Sequence, residues 1–250
     1  MDFRKVFDRI PEEFDRWRPR YCDALFEDVI GYAELGPEKN VLEIGPGTGQ
    51  ATEPILKTGC SYTAIELGGH LTAFMKEKFD RYKNFSIVNE DFETYPFADE
   101  RYDLVYSAAA IQWIPEPIAF AKTYRMLKHG GALAMFLTRS EYRSTNEDLY
   151  QRIQEVYTEY FHPERNYTCR LAYENAPDYG FTALERREYR GQRVFTADEY
   201  TAFSATHCDH IVLQEPYRTK FFDGIRQAVL DAGDRIVFND TIVLYLARKP

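Results

Sequence analysis

Three carboxylates stand where apolar runs give out: Glu43 in Val41–Gln50 (VLEIGPGTGQ), Glu66 in Ser61–Leu67 (SYTAIEL) and Asp91 in Phe85–Asp91 (FSIVNED). Each run is a strand candidate, and in an open parallel sheet ligands sit outside the carboxyl ends of the strands. Three acids would then face one crevice. After the first run, Gly45, Gly47 and Gly49 let the backbone take positive φ and approach a ligand with no Cβ in the way, their N–H groups turned outward. Glu66 follows Gly45 by about 20 residues, the offset at which a carboxylate can take both hydroxyls of a ribose. The chemistry these residues could do together is the binding of a nucleoside.

The elements needed to hold them follow from periodicity. Glu12–Gly31 carries Phe14, Trp17, Tyr21, Leu25, Phe26 and Val29 at helical spacing, interrupted by Pro19, which predicts two short helices over the cleft. Then come a strand at Val41–Gly45, a helix at about Gln50–Thr58, the second strand, a helix from Leu71 to Tyr82, the third strand, and a fourth at Tyr102–Ala108. A helix from about Pro117 to Leu127 would stop at Gly130–Gly131 before a fifth strand at Ala132–Thr138. Phe181–Tyr189 reads as a sixth strand, Ala197–Thr206 and Pro216–Ala232 as helices, and Arg235–Arg248 as a final hairpin-edge strand. Strands alternating with helices predict an α/β, doubly wound sheet.

Ser140–Gly180 breaks the alternation. Its first half is helical, with Leu149, Ile153, Val156 and Tyr160 on one face, and it holds Tyr142, Tyr150, Tyr157, Tyr160, Tyr167, Tyr173 and Tyr179. The expectation is one domain over 1–250, with cap helices in 1–36 and a helical lid inserted at 140–180 over the acceptor site.

The glycine spacing selects among nucleotides. A nicotinamide fingerprint is G-x-G-x-x-G, with its third glycine where Gln50 stands, and it needs no acid two residues before the first glycine. Here the order is G-x-G-x-G after Glu43. That pattern resembles motif I of the class I S-adenosylmethionine-dependent methyltransferases, and the resemblance continues through Glu66, Asp91–Phe92, YDLVYSAAAIQWIP at Tyr102–Pro115 and LKHGGALAMFL at Leu127–Leu137. It covers roughly residues 14–250 and is closest to the bacterial type 11/12 branch that includes trans-aconitate methyltransferase.

The resemblance implies a Rossmann-like seven-stranded sheet of order 3-2-1-4-5-7-6 with the last strand antiparallel. It implies S-adenosylmethionine as cofactor and S-adenosylhomocysteine as product. Gly45, Pro46, Gly47, Thr48 and Gly49 would line the methionine and ribose part, Glu43 would orient that loop or reach the ammonium, Glu66 with Leu67 would hold the ribose, and Asp91 with Phe92 the adenine. Ser107 and the segment after it would face the transfer site, and Arg18, or Arg16, in FDRWRPRY would reach the methionine carboxylate. Many relatives have a histidine before the tryptophan, where this chain has Gln112 before Trp113. Glutamine can position an acceptor but cannot take its proton near neutral pH, so Gln112 and Trp113 are expected to position the acceptor. Arg139, Arg143, Arg152, Arg165 and Arg170 could serve a carboxylate acceptor or simply face water.

Composition is consistent with this. A 250-residue chain that is 44% hydrophobic can bury a substantial core, and a formal net charge of −9 argues against a polyanionic partner. A small-molecule acceptor is expected, with no nucleic acid or membrane partner, in a monomer or homodimer. Cys22, Cys60, Cys169 and Cys208 show no C-x-x-C spacing, which suggests reduced thiols in the cytoplasm. No metal site is expected, although His207, Cys208, Asp209 and His210 cluster locally. Two rival readings remain: a cofactor-binding protein without transferase activity, and a nicotinamide-dependent oxidoreductase.

Overall fold

A computed structural model describes residues 3–163 and 171–250. Its elements, in order, are α1 (Pro11–Trp17), α2 (Asp23–Ala33), β1 (Asn40–Ile44), α3 (Thr52–Leu56), β2 (Ser61–Glu66), α4 (Gly69–Lys78), β3 (Phe85–Asn89) and β4 (Tyr102–Ala108). They continue with α5 (Glu116–Met126), β5 (Leu127–Glu141), α6 (Glu147–Tyr160), β6 (Thr182–Phe195), α7 (Ala197–Ser204), α8 (Cys208–Ile211), α9 (Tyr217–Asp231) and β7 (Ile236–Arg248). The N-terminal helices divide at Pro19 as predicted: α1 ends at Trp17, and Arg18 is extended with ψ 147°, because a proline pushes the residue before it out of the helical region.

The seven strands form one sheet in the order β3-β2-β1-β4-β5-β7-β6. The pairs β1–β2, β1–β4, β2–β3 and β4–β5 are parallel, and β7 runs antiparallel. Ile44 pairs with Ile65, Glu66 with Asn89, and Glu43 with Tyr106. The ends of β1, β2, β3 and β4 therefore lie along one edge, and the residues after them emerge there.

Alternation along the strands explains the core. Successive side chains point to opposite faces, so Val41, Tyr62, Ala64, Leu104 and Tyr106 join one apolar cluster while Leu42, Ile44, Ile65, Val105 and Leu133 join the other. Both faces are covered, which is why these strands read as continuous apolar runs.

Two expectations are corrected. Gly130 and Gly131 do not stop α5, which ends at Met126 with Leu127 already extended; Gly130 N–H donates to the Lys249 carbonyl at 2.8 Å, and the pair lies within β5. Arg235–Arg248 is not an edge strand: β7 lies between β5 and β6, with Val243–Ala247 fully buried, and the exposed β6 forms the edge. The short helix α8 and the 3-10 segments Phe3–Arg9, Ile111–Trp113 and Tyr173–Tyr179 carried no periodic signal long enough to predict them.

The chain forms two compact units, the first Met1–Arg18, Arg139–Thr168 and Arg190–Thr241, the second Pro19–Thr138, Cys169–Tyr189 and Ile242–Pro250. The segment 140–180 is thus divided. In the first unit, Leu149 and Ile153 of α6 pack in a core with Phe203, Phe221 and Ile225. In the second, Tyr173–Tyr179 docks on α5, where the Glu116 carboxylate accepts from the Ala172 N–H at 2.8 Å and from Asn175 Nδ2 at 3.0 Å.

Candidate functional site

The glycine turn after β1 has the backbone that its composition demands. Gly45, Gly47 and Gly49 have φ of 65°, 59° and 83°, a region costly for residues with a Cβ. Gly45 also sits where no side chain fits, since a Cβ there would lie 2.5 Å from the Ala110 Cβ. At Gly49 a Cβ would meet the Phe79 ring at 2.5 Å and Met75 Sδ at 2.8 Å, so this glycine allows α4 to pack closely. Pro46 and Thr48 are buried in the turn; the Thr48 carbonyl accepts from Lys78 Nζ at 2.9 Å and its hydroxyl from Gln50 Nε2 at 2.7 Å.

Glu66 closes the turn from the neighbouring strand. One carboxylate oxygen accepts from the Gly47 N–H at 3.1 Å and the other from the Gly68 N–H at 2.9 Å, with Leu67 half-buried between them. Glu66, which its offset from Gly45 marked as a ribose-binding candidate, thus also touches the glycine turn directly. Asp91 caps its own loop, its Oδ1 accepting from the Glu93 N–H at 2.9 Å. The Phe92 ring is buried in the core 5.6 Å from the Phe97 ring, and Lys122 Nζ lies over it while donating to the Phe92 carbonyl at 2.6 Å. Burial lowers the Lys122 pKa, and the nearby Asp91 carboxylate opposes that.

Glu43 is fully buried on the face of β1 opposite to Ile44. The sheet register sets Tyr106 beside it and Tyr62 two pairs back on the same face, opposite Val41, and α3 brings Thr52 over them. Thr52 Oγ1 donates to Glu43 Oε2 at 2.6 Å, the Tyr62 hydroxyl makes a short hydrogen bond to the same oxygen, and the Tyr62 and Tyr106 hydroxyls are paired. Glu43 Oε1 is buried with no partner. Desolvation pushes the Glu43 pKa up to about 7 against the lowering effect of Thr52, Tyr62 and Tyr106. The two tyrosine pKa values rise well above the usual value, again through burial, with the Glu43 charge adding to it.

At the end of β4, Ser107 ties two strands to the following turn: its hydroxyl donates to the Ile44 carbonyl at 2.9 Å and accepts from the Ile111 N–H at 3.0 Å. Ala109 has φ 54°, a left-handed conformation costing a residue with a Cβ roughly 1–2 kcal/mol. Its N–H donates to the Phe136 carbonyl at 2.8 Å, and its carbonyl accepts from Gln112 Nε2 at 2.9 Å. Gln112 Oε1 in turn accepts from the Tyr173 hydroxyl at 3.0 Å. The carboxamide assigned to an acceptor by sequence is engaged at both ends within the chain. Trp113 is half-buried, its N–H donating to the Ala110 carbonyl at 3.0 Å.

The second unit thus brings together the glycine turn, Glu43, Glu66, Asp91, Ser107, Gln112 and Trp113 along the carboxyl ends of its strands. Arg18 belongs to the first unit, its guanidinium 5.4 Å from the Phe14 ring. There too lie Arg143, paired with Glu147 at 2.8 Å, and Arg152, 4.0 Å from Asp231, both exposed. Arg165, Tyr167, Cys169 and Arg170 lie outside the described residues. Among the described residues no three His, Cys, Asp or Glu side chains converge as metal ligands; His210 is buried against Ser204 and Tyr157, and burial lowers its pKa and that of His207. Tyr62, Tyr106, Thr52, Lys122 and Tyr173 were missed by sequence reasoning, because each meets the site through sheet register or packing rather than a local motif.

Residues 42–135 match the family model described as a methyltransferase domain. The chain is 33% identical over 141 residues to a malonyl-[acyl-carrier protein] O-methyltransferase from Marinomonas sp., covering 55% of this chain and 51% of that protein. It is 36% identical over 69 residues to ribosomal RNA small subunit methyltransferase A from Clostridium botulinum, covering 28% of this chain and 25% of that one. The chain therefore spans about half the length of the first relative and a quarter of the second. Among solved structures, phosphoethanolamine N-methyltransferase 2 of Haemonchus contortus, in complex with S-adenosyl-L-methionine, superposes with a TM-score of 0.59 at 17% identity, over 100% of this chain and 60% of that one. The fold is that of the Rossmann-like methyltransferases. Over residues 42–135 the chain is thus similar in sequence to methyltransferase domains.

Proposed function

We propose that this chain binds S-adenosylmethionine along the carboxyl edge of β1 to β4 and transfers its methyl group to a small-molecule acceptor. The observation that carries the reading is Glu66, a buried carboxylate joining the glycine turn to the end of β2, where a ribose diol would meet it. The residues suit the group. Gly45 and Gly47 present backbone without side chains, and Asp91 stands just past the next strand end. Glu43 holds the turn from below through Thr52; its burial sets its ammonium role aside in favour of orienting the loop.

The bound cofactor supplies an activated methyl on a sulfonium, so the protein's part is alignment and exclusion of water. Gly45, Pro46, Gly47, Thr48 and Gly49 shape the loop, Glu66 and Leu67 the ribose subsite, Asp91 and the Phe92 backbone the adenine end. Ser107 to Trp113 form the wall on the transfer side. Gln112 cannot act as a base near neutral pH, which suits an acceptor that arrives deprotonated or needs none. The net charge of −9 favours a small acceptor over a polyanion and so weighs against the ribosomal RNA substrate named for the shorter matched relative. Among the described residues no helix is long and apolar enough to cross a membrane.

The test is direct. Calorimetry should show binding of S-adenosylmethionine and S-adenosylhomocysteine but not NAD, and either ligand at about a hundredfold over its Kd should raise stability by about 3 kcal/mol. NAD binding without S-adenosylmethionine binding would overturn the assignment. Incubation with methyl-labelled cofactor and a metabolite extract should then label a small product; tight binding with no labelled product would instead mean a cofactor-binding protein without transferase activity.

A further inference from the structure

We infer that Tyr173 is a positioning residue of the cofactor site: its hydroxyl fixes the Gln112 carboxamide, and that carboxamide holds the Ala109–Ala110 turn against Gly45. The inference rests on the reading that the glycine turn binds the cofactor. Its first support is chemical. A backbone carbonyl only accepts, so the Ala109 carbonyl must face the NH2 end of Gln112, which leaves Oε1 as an acceptor toward Tyr173. The Ala109 carbonyl therefore selects the amide orientation, since a flip would set oxygen against oxygen there, and the Tyr173 hydroxyl holds the selected amide by donating to its oxygen.

The second support is conformational. Ala109 is left-handed without being glycine and has no polar side chain of its own to hold it there. Its carbonyl is tied by Gln112 and its N–H by Phe136. The neighbouring Ala110 lies so near Gly45 that a Cβ on that glycine would come within 2.5 Å of its own Cβ. A relaxed Ala109 would therefore move the wall against which the first glycine of the loop is seated.

The third is that Tyr173 is itself held from elsewhere. Its ring stacks on Tyr245 at 5.1 Å and 11°, the Tyr245 hydroxyl donates to Glu174 at 2.6 Å, and Glu116 anchors the rest of the segment to α5. The Tyr173 hydroxyl is thus presented to Gln112 by a segment 61 residues further along the chain. Through Tyr173 and Gln112 the segment Tyr173–Tyr179 reaches the turn that packs on Gly45.

Three variants test this: Tyr173→Phe removes only the hydroxyl, Gln112→Met keeps the length without hydrogen bonds, and Tyr245→Phe removes the hydrogen bond to Glu174 while keeping the ring stacking that presents Tyr173. Binding of S-adenosylhomocysteine is measured by calorimetry, and proton exchange of the Gln112 side-chain amide by NMR on protein labelled with nitrogen-15 in glutamine. Tyr173→Phe should weaken binding about fivefold and Gln112→Met about tenfold, with Tyr245→Phe near wild type. The Gln112 amide should exchange slowly in wild type and Tyr245→Phe, and quickly in Tyr173→Phe. Weakening by Tyr245→Phe equal to that by Tyr173→Phe would overturn the inference, as would a change in only one of the two readouts for Tyr173→Phe. If wild type fails to bind S-adenosylhomocysteine, the cofactor reading fails, and amide exchange alone then decides whether Tyr173 fixes Gln112.

Discussion

Replacing Glu66 by alanine should raise the dissociation constant for S-adenosylhomocysteine about ten- to a hundredfold, roughly 1.5–3 kcal/mol, because a charge-assisted double hydrogen bond to the ribose is lost. The carboxylate also accepts from the Gly47 and Gly68 N–H groups, so its removal leaves two backbone donors without their acceptor beside a largely buried position. Some of the loss would then come from a loosened turn rather than a missing ribose contact. Glu66→Gln separates the two, since an amide oxygen can still accept one N–H while the charge is gone; its affinity should fall between wild type and Glu66→Ala. Calorimetry of both variants, with thermal midpoints measured without ligand, checks this. An unchanged dissociation constant in Glu66→Ala would show that β2 does not end at the cofactor.

Glu43 should make stability fall as pH rises through neutrality. In the unfolded chain its carboxyl titrates near the ordinary value of 4.5, whereas burial in the fold pushes it up to about 7. Between those values the folded state holds more protons than the unfolded one, so the slope of stability against pH is negative there. The contribution is fully present below about pH 4.5 and is lost as pH rises through about 7, amounting to roughly 3 kcal/mol. Glu43→Gln keeps the shape and cannot ionise. Urea denaturation across about pH 5 to 8 should therefore show the variant gaining on wild type toward the alkaline end. Parallel pH profiles for the two proteins would mean that Tyr62, Tyr106 and Thr52 already hold the ionised carboxylate without penalty.

The glycine turn and the strand ends beside it were largely legible in sequence because they are local or regularly spaced. Gly45, Gly47 and Gly49 follow a five-residue strand, and a turn that must take positive φ three times can be written in few other residues. Glu66 was found from its offset, since a β-α-β unit has a nearly set length. Ser107 and the residues after it were assigned to the transfer side through the family resemblance, and the structure places Ser107 at the end of β4. The partners of these groups were not legible. Tyr62 and Tyr106 lie 44 residues apart and meet only because β1 lies between their strands. As isolated letters they are two more apolar positions on buried strands. Gln112 was read as an acceptor contact because sequence shows its type but not its neighbours; the structure ties it to Ala109 and Tyr173.

The sequence by itself determined the α/β alternation, the turn that leaves backbone bare after β1, and the acids at three strand ends, because each is dictated by local conformational preference and by periodicities of two or 3.6 residues. Periodicity did not determine that Gly130 and Gly131 continue a strand, nor that β7 enters the sheet between β5 and β6, an order that only the family resemblance had implied and that the structure has. Those outcomes depend on which neighbour satisfies a backbone N–H or covers an apolar face. Tertiary structure alone decided the upward shift of the Glu43 pKa and the hold of Tyr173 on Gln112. Desolvation is a property of everything packed around a carboxylate, and a hydrogen bond between residues 61 apart exists only once the chain between them has folded.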